Sequence, residues 1–305
     1  MGIDINTSRF LISAFEDGVS FERTLTIGRQ NLYATTAEVE ALKSKLRQID
    51  PTKEYDLSPK GFAEPMFQAF NNAELLSMDK SDFEGADFLH DMNFPIPSDY
   101  QEQFDLIYDG GSLEHIFNFP VAIKNEMEMV KVGGHLVLQT PTNNWSGHGF
   151  YQFSPELYFR VLSKNNGYRI KRMVVFEWGP NKWYEVADPM DVQSRIYIVN
   201  ACRASLLILA ERTSAVKVNQ TPPQQSDYEF IKWQADKSAG DRPSPQTSPT
   251  PTKSSQARRQ PISVAQVKSI VPKRIKDTIK TAIGYEAPEQ DYFSRQPNVF
   301  RPVDR

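Results

Sequence analysis

Cysteine is almost absent from this chain of 305 residues, and neither sign of charge dominates it. The single cysteine, Cys202, cannot form a disulfide within the chain or build a cysteine-rich zinc site, so the sequence predicts a reducing compartment. The formal net charge of −3 lacks the basic excess that draws proteins to the phosphates of nucleic acids. We therefore predict no nucleic-acid partner.

Long apolar runs are also missing. The most apolar stretch, residues 195–210, is interrupted by Asn200 and Arg203 and falls short of the roughly 20 residues that a membrane-spanning helix needs. Residues 1–18 lack the basic start and apolar centre of a secretory signal peptide. These absences predict a cytoplasmic protein.

The composition changes near residue 214 and divides the chain into three parts. Residues 1–213 alternate between strand-like apolar segments and amphipathic helices. Residues 214–262 are rich in Pro, Ser, Thr and Gln and cannot bury enough apolar surface to offset the entropy of ordering, so they predict a disordered linker. Residues 263–305 form a C-terminal tail that contains a basic helical pattern.

That tail predicts a short amphipathic helix at residues 272–283. Pro272 opens the pattern, Gly284 closes it, and apolar residues recur at every fourth position between basic ones. Such a helix binds an anionic membrane surface, binds a partner protein, or docks on its own folded domain or a second copy. The pattern favours docking, and it leaves open both a peripheral location at the membrane and the oligomeric state.

Strand and helix patterns alternate through the first part of the chain. Strands are predicted at residues 24–27, 74–78, 87–90, 104–108, 135–140, 168–176 and 205–210. Helices are predicted at residues 9–15, 36–46, 62–70, 121–130 and 155–163. This alternation predicts an α/β fold in which a doubly wound sheet of about seven strands carries helices on both faces.

The block at residues 104–141 combines strand, turn, helix and strand in one βαβ unit. Its first strand ends at Asp109-Gly110-Gly111, and we interpret Gly133-Gly134 as the stop of its helix. Ligands bind at the carboxyl ends of the strands in open α/β sheets, so the acidic, glycine-rich turn is predicted to line a cleft.

With Leu113-Glu114-His115 after this turn and Thr140-Pro141 after the second strand, the block resembles the class I S-adenosylmethionine-dependent methyltransferases. The resemblance covers about residues 24–212 and implies a Rossmann-like sheet whose last strand is antiparallel. It also implies S-adenosylmethionine as the cofactor and methyl transfer by in-line displacement. By family analogy alone, the acceptor is a small molecule or a glycan-type metabolite.

The resemblance places cofactor contacts on several loops. Asp79 would hold the ribose hydroxyls, and Asp91 would lie near the adenine, where Met92 would add an apolar contact. A turn-forming aspartate and a core methionine remain the alternatives for these positions. In the βαβ block, the family pattern predicts that Asp109, Gly110, Gly111 and Glu114 contact the cofactor.

The loop after the first strand departs from the family pattern. The family has an acidic residue and three glycines there, whereas this chain has Gly28, Arg29 and Gln30. Either the loop binds the cofactor in a modified way through polar side chains, or the domain is a catalytically degenerate pseudoenzyme that binds a cofactor or metabolite. The intact pattern from Asp79 onward favours the first interpretation. An interaction scaffold that acts through its tail is a third.

Methyl transfer needs a base only where the acceptor must lose a proton. The candidate bases are His148, in a Gly-His-Gly loop, and His115, although a turn-forming role for the first and a helix-fixing role for the second remain open. The aromatic insertion at residues 178–200 is predicted to cap the acceptor site. No cluster of His, Asp and Glu has metal-ligand spacing, so we predict no metal site.

Overall fold

A computed structural model of the chain describes residues 2–178, 182–228 and 298–303. Their strands are β1 (Gly2–Asp4), β2 (Arg23–Ile27), β3 (Asn31–Tyr33), β4 (Glu74–Asp79), β5 (Phe88–Leu89), β6 (Phe104–Asp109), β7 (Val130–Asn143), β8 (Tyr168–Glu177), β9 (Trp183–Val186), β10 (Ala204–Arg212) and β11 (Phe300–Val303). Their helices are α1 (Ile5–Glu16), α2 (Thr36–Ile49), α3 (Glu64–Phe67), α4 (Phe119–Met129), α5 (Pro155–Val161) and α6 (Pro189–Val192).

One nine-stranded sheet organises the fold, in the order β11-β9-β8-β10-β7-β6-β2-β4-β5. The strands from β5 to β7 in that order are parallel to their neighbours, whereas β10 runs antiparallel to both β7 and β8. The sequence prediction of a Rossmann-like, doubly wound sheet with an antiparallel last strand is therefore confirmed.

Two further strands extend the sheet beyond β8. β9 pairs antiparallel with β8, and β11 pairs antiparallel with β9. β9 belongs to the insertion at residues 178–200, which we predicted to be a cap over the acceptor site. Part of that insertion is instead a strand of the sheet between β8 and β11, because Trp183 and Tyr184 bury their rings on opposite faces of the extended sheet.

Both faces of the sheet are buried, as a doubly wound fold requires. Along β6, Ile107 packs with α4 and α5 on one face, whereas Leu106 and Tyr108 pack with α1, α2 and α3 on the other. Because successive side chains of a strand point to opposite faces, β6 contributes residues to two separate hydrophobic cores. None of the helices in the described ranges is long and apolar enough to cross a bilayer.

Capping residues explain where α2 begins, whereas the predicted end of α4 is wrong. Thr35 caps α2 in a reciprocal capping box with Glu38. In contrast, Gly133-Gly134 does not stop α4, because the helix ends at Met129 and the chain enters β7 at once. Gly134 lies inside the strand, where an added Cβ would come within 2.8 Å of the Asp105 carbonyl oxygen on β6.

The first part of the predicted linker lies against the folded domain. Ser226 donates from its N–H and its hydroxyl to Glu156 on α5, and Asp227 forms an ion pair with Arg195. Residues 229–297 lie outside the described residues, and with them most of the predicted linker and the predicted helix at residues 272–283. The boundaries at residues 213 and 262 stay predictions.

Candidate functional site

A cavity of about 200 Å³ opens at the carboxyl ends of β6 and β7. Its walls include five residues that the sequence singled out, namely Gly110, Gly111, Glu114, His115 and His148. Thr140, Trp145, Trp178 and Ser205 complete much of the lining. The turn after β6 therefore borders a cavity at the sheet edge where ligands bind in folds of this class.

A larger groove of about 810 Å³ lies along β8, far from these residues in the sheet. Its Arg160 forms an ion pair with Asp188. None of the site residues predicted from the sequence lines this groove. We therefore place the candidate site at the smaller cavity.

Asp109 ends β6 and holds the turn that follows. It is fully buried, and its carboxylate accepts hydrogen bonds from the N–H groups of Gly111 at 2.9 Å, Ser112 at 2.6 Å and Leu113 at 3.2 Å. Gly111 adopts a left-handed φ of 99° that favours glycine. Asp109 was predicted to bind the cofactor, but in this structure its oxygens are engaged in building the turn.

Behind that turn, Glu126 on α4 is fully buried against Asp109. Burial, reinforced by the nearby charge of Asp109, raises the pKa of Glu126 well above its ordinary value. Burial also raises the pKa of Asp109, although the hydrogen bonds from Ser112 oppose that shift. Both carboxyl oxygens of Glu126 are buried without a hydrogen-bond partner among the described residues, so burial favours the neutral, protonated form of Glu126.

Glu114, His115 and His148 converge on one wall of the cavity. Glu114 is 2% exposed, its Oε1 lies 3.6 Å from His148 Nε2, and its buried Oε2 has no hydrogen-bond partner among the described residues. The rings of His115 and His148 lie 5.0 Å apart, centroid to centroid. The three side chains form what we call the Glu114–His115–His148 cluster.

Burial sets the protonation of this cluster. It raises the pKa of Glu114 to about 8, with a further contribution from the negative charge of Asp109. Burial lowers the pKa of His115, and it lowers that of His148 with help from Arg203. Near neutral pH the cluster therefore contains a protonated carboxyl group and two neutral imidazoles.

The Gly-His-Gly loop is shaped by contact with the backbone of Glu114. The Glu114 carbonyl oxygen accepts hydrogen bonds from Phe150 N–H at 2.7 Å and Tyr151 N–H at 3.3 Å. A Cβ added to Gly149 would lie 2.7 Å from that same oxygen, and Gly147 adopts a left-handed φ of 87°. The two glycines allow the loop to approach closely enough to place His148 beside Glu114.

Gly149→Ala is therefore expected to push the loop away from Glu114. Because the obstacle is a backbone oxygen, relief requires a backbone shift, and we expect a loss of about 1–2 kcal/mol in the free energy of unfolding, as in other overpacked sites. Urea denaturation measures this loss. The neighbouring exposed Ser146→Ala is the matched control and should change stability by less than about 0.5 kcal/mol. An unchanged Gly149→Ala variant would contradict the close approach.

The unusual loop after β2 is closed by its own side chains. Arg29 forms an ion pair with Glu64, and its guanidinium lies 3.7 Å from the ring centroid of Phe62. Gln30 is buried, and its amide donates to the carbonyl oxygens of Ile27 at 2.8 Å and Gly28 at 2.9 Å. Arg29 and Gln30, both predicted cofactor contacts, are thus held within the protein.

Gln30 also touches the turn after β6. A Cβ on Gly110 would overlap Gln30 Oε1, which is buried and has no hydrogen-bond partner among the described residues. Gly28 has a left-handed φ of 72° and donates its N–H to the carbonyl oxygen of Met78 at 2.6 Å. The Gln30 side chain therefore fills the space between the carboxyl ends of β2 and β6.

The remaining predicted cofactor residues lie further along the sheet edge, outside the cavity lining. Asp79 ends β4 and is partly exposed, and one of its oxygens accepts from Ser81 N–H. Asp91 follows β5, and its ion pair with Lys80 at 2.9 Å is the main cause that lowers its pKa to about 2. Met92 is buried in the core, the alternative that the sequence left open.

Sequence reasoning missed several lining residues. Gly2 and Tyr33 belong to β1 and β3, which form a separate two-stranded parallel sheet of three residues each, too short to give a periodic pattern. Ser205 carried no motif either, and its hydroxyl accepts a hydrogen bond from the indole N–H of Trp178 at 3.0 Å. Trp178 begins the insertion at residues 178–200 that the sequence predicted as a cap, and Thr140-Pro141 belonged to the family-like pattern.

No protein-family profile and no curated protein matches the chain. Among solved structures, an S-adenosylmethionine-dependent methyltransferase from Mesorhizobium loti is 14% identical, with a TM-score of 0.36, over 67% of this chain and 96% of its own. The trans-methyltransferase CalH, in complex with SAH, is 13% identical with a TM-score of 0.36, over 68% of this chain and 57% of its own.

A third similar structure is a branched-chain polyamine synthase mutein from Thermus thermophilus. It is 10% identical with a TM-score of 0.37, over 71% of this chain and 58% of its own, and it contains N4-aminopropylspermidine and 5′-methylthioadenosine. Similarity at this level does not establish an activity. The strand order and the antiparallel β10 do establish the architecture: a Rossmann-like, doubly wound sheet extended by two antiparallel strands, β9 and β11.

Proposed function

We propose that the protein transfers a methyl group from S-adenosylmethionine to a small-molecule acceptor. The observation that carries the proposal is the cavity at the carboxyl ends of β6 and β7, where the glycine turn and the Glu114–His115–His148 cluster meet. A glycine turn lets a ligand approach the backbone, and the adjoining cluster supplies polar groups.

Several residues fit the cofactor. Asp79 has one carboxylate oxygen without a described protein partner, suited to the ribose hydroxyls. Gln30 Oε1 is a buried acceptor that lacks a donor, and the ammonium group of S-adenosylmethionine is such a donor. Gly110 and Gly111 leave room for it at the turn. When bound, the cofactor supplies an electrophilic methyl group.

The acceptor side is formed by this chain's own polar and aromatic groups. His148 is partly exposed, and as a neutral imidazole it can take a proton from a hydroxyl or ammonium acceptor. Trp145 and Trp178 lie 5.4 Å apart, centroid to centroid, and present ring surface to the cavity. This combination suits a small acceptor with an apolar or ring-shaped body, including a sugar ring of a glycan-type metabolite.

Asp79→Ala is expected to weaken the binding of S-adenosylmethionine and of its demethylated product at least tenfold, because it removes charge-assisted hydrogen bonds to the ribose. Calorimetric titration measures both affinities. Asp99→Ala removes an exposed carboxylate elsewhere and should leave them unchanged. Equal affinity of the Asp79 variant and the wild type would remove Asp79 from the site. Failure of the wild-type protein to bind either compound would overturn the proposed function.

A second candidate function is the binding of a cofactor or metabolite without turnover. The closed loop after β2 favours it, because Gln30 occupies space between β2 and β6 at the cofactor edge. A scaffold role through the tail is the third hypothesis, and its residues 229–297 lie outside the described part of the chain.

A further inference from the structure

We propose that Glu114, His115 and His148 bind a divalent transition-metal ion of the Zn²⁺ class. Each residue offers one ligand atom, and these atoms all lie within 4.8 Å of one another. The shortest recorded separation joins Glu114 Oε1 and His148 Nε2 at 3.6 Å. The sequence predicted no metal site because His148 lies far along the chain from the other two residues, and only the fold brings them together.

The donor set indicates the class of metal. Two imidazole nitrogens and one carboxylate oxygen are ligands that Zn²⁺ and the divalent ions near it in the first transition row accept, whereas Mg²⁺ and Ca²⁺ prefer oxygen ligands throughout. Tetrahedral Zn²⁺ with bonds of roughly 2.0–2.2 Å separates neighbouring donor atoms by about 3.4 Å. The Glu114–His148 separation already fits this spacing, and the other two pairs, which lie within 4.8 Å, need at most about 1.4 Å of side-chain adjustment.

An independent observation points to a bound cation at the same place. Glu114 Oε2 is buried and has no hydrogen-bond partner among the described residues, although the residue itself is only 2% exposed. Leaving a carboxyl oxygen buried and unsatisfied is costly, and a cation bound by Glu114 would remove that cost. The buried carboxyl of Asp109 lies behind Glu114 and adds negative charge to the surroundings.

The protein also holds the ligands in position before any metal arrives. Glu114 and His115 share the short 3₁₀ turn Leu113–His115, and Phe150 N–H and Tyr151 N–H tie the His148 loop to the backbone of Glu114. Two ligands on one turn and a third on a loop bound to that turn form a rigid site. The adjoining cavity of about 200 Å³ leaves space for water or an acceptor at an open coordination position.

This inference does not depend on methyl transfer, because the three ligands require no cofactor. A metal here would bind an oxygen or nitrogen of the molecule in the cavity and fix its orientation. The imidazole of His148 would then be a ligand, and the acceptor would be polarised by the ion. A negative result in the metal titration would leave the test with S-adenosylmethionine unaffected, and the reverse also holds.

The test is calorimetric titration of the untagged full-length chain with Zn²⁺, with Mg²⁺ as the hard-cation comparison. We expect one Zn²⁺ per chain and no measurable heat from Mg²⁺. Glu114→Gln, His115→Ala and His148→Ala should each weaken Zn²⁺ binding at least tenfold. His90→Ala, which removes a histidine on the loop after β5, is the matched control and should bind Zn²⁺ like the wild type.

Thermal unfolding shows whether each variant is still folded. Without metal, Glu114→Gln should remain folded and unfold cooperatively, since the amide keeps the side chain's shape. Zn²⁺ should raise the unfolding temperature of the wild type and of His90→Ala but not that of Glu114→Gln. Absence of Zn²⁺ binding to the wild type, or binding that a folded Glu114→Gln variant retains in full, would overturn the proposal.

Discussion

Glu126→Gln is expected to raise the free energy of unfolding by about 2 kcal/mol at pH 7 and to change it little near pH 4.5. Glu126 is fully buried beside Asp109, and its pKa in the folded protein lies well above the ordinary value of 4.5. A glutamine has nearly the same shape and stays neutral in this buried position at every pH. The substitution thus keeps the packing of the side chain and removes the dependence of its contribution on pH.

The sign of the effect follows from proton binding in the two states. Because the folded pKa is raised, the folded protein keeps the Glu126 proton at pH values where the unfolded chain has released it. The contribution of Glu126 is therefore fully present below pH 4.5 and is lost as the pH rises towards the folded pKa. Each pH unit in this window costs the wild type up to about 1.4 kcal/mol, a cost that the glutamine variant does not bear.

Urea denaturation of both proteins from pH 4.5 to pH 8 gives the difference directly. Glu40→Gln, an exposed glutamate on α2, is the matched control and should show a small difference without a pH trend. A Glu126→Gln variant that is less stable than the wild type at pH 7 would mean that an ionised Glu126 stabilises the fold, contrary to a carboxyl group that burial keeps neutral beside Asp109.

The sequence predicted the central strands because they leave strong local signals. Residues 104–108 are a short, mostly apolar and β-prone segment ended by an acidic, glycine-rich turn, and β6 covers Phe104–Asp109. The strands β1, β3, β9 and β11 were missed because each has only three or four residues, and β1, β3 and β11 also pair with partners distant in the chain. Period-two patterns need a longer segment than these strands provide.

The site was predictable in its residues but not in their arrangement. The sequence selected Glu114 as a cofactor contact and His115 and His148 as bases, each for a separate reason. Their convergence depends on the approach of Gly149 to the Glu114 carbonyl oxygen, a contact between two loops that no local pattern encodes. Likewise, the loop after β2 was recognised as unusual, but the burial of Gln30 against Gly110 depends on the packing of β2 beside β6.

Gln30→Ala is expected to weaken the binding of S-adenosylmethionine by roughly 10- to 100-fold. Under the proposed function, the unpartnered Gln30 Oε1 accepts a hydrogen bond from the cofactor's ammonium group, and hydrogen bonds to charged groups contribute about 1.5–3 kcal/mol. If Gln30 instead blocks the cofactor edge in a protein that no longer turns over, the smaller alanine should open the space between β2 and β6 and tighten binding. The direction of the change in calorimetric affinity therefore separates the two candidate functions.

Gln30→Met completes the comparison because methionine keeps the length of the side chain but lacks the amide. If Gln30 is a cofactor contact, the methionine and alanine variants should both bind S-adenosylmethionine more weakly than the wild type, and to a similar extent. If Gln30 instead blocks the cofactor edge, the alanine variant should bind S-adenosylmethionine more tightly than the wild type, and the methionine variant should bind it as weakly as the wild type. Both variants lose the hydrogen bonds to the Ile27 and Gly28 carbonyl oxygens, although Ser112 still donates its hydroxyl to Ile27 at 3.1 Å. Both variants lose these hydrogen bonds equally. A difference in cofactor affinity between the two variants therefore measures the effect of side-chain volume. A change in affinity that both variants show relative to the wild type measures the effect of losing the amide.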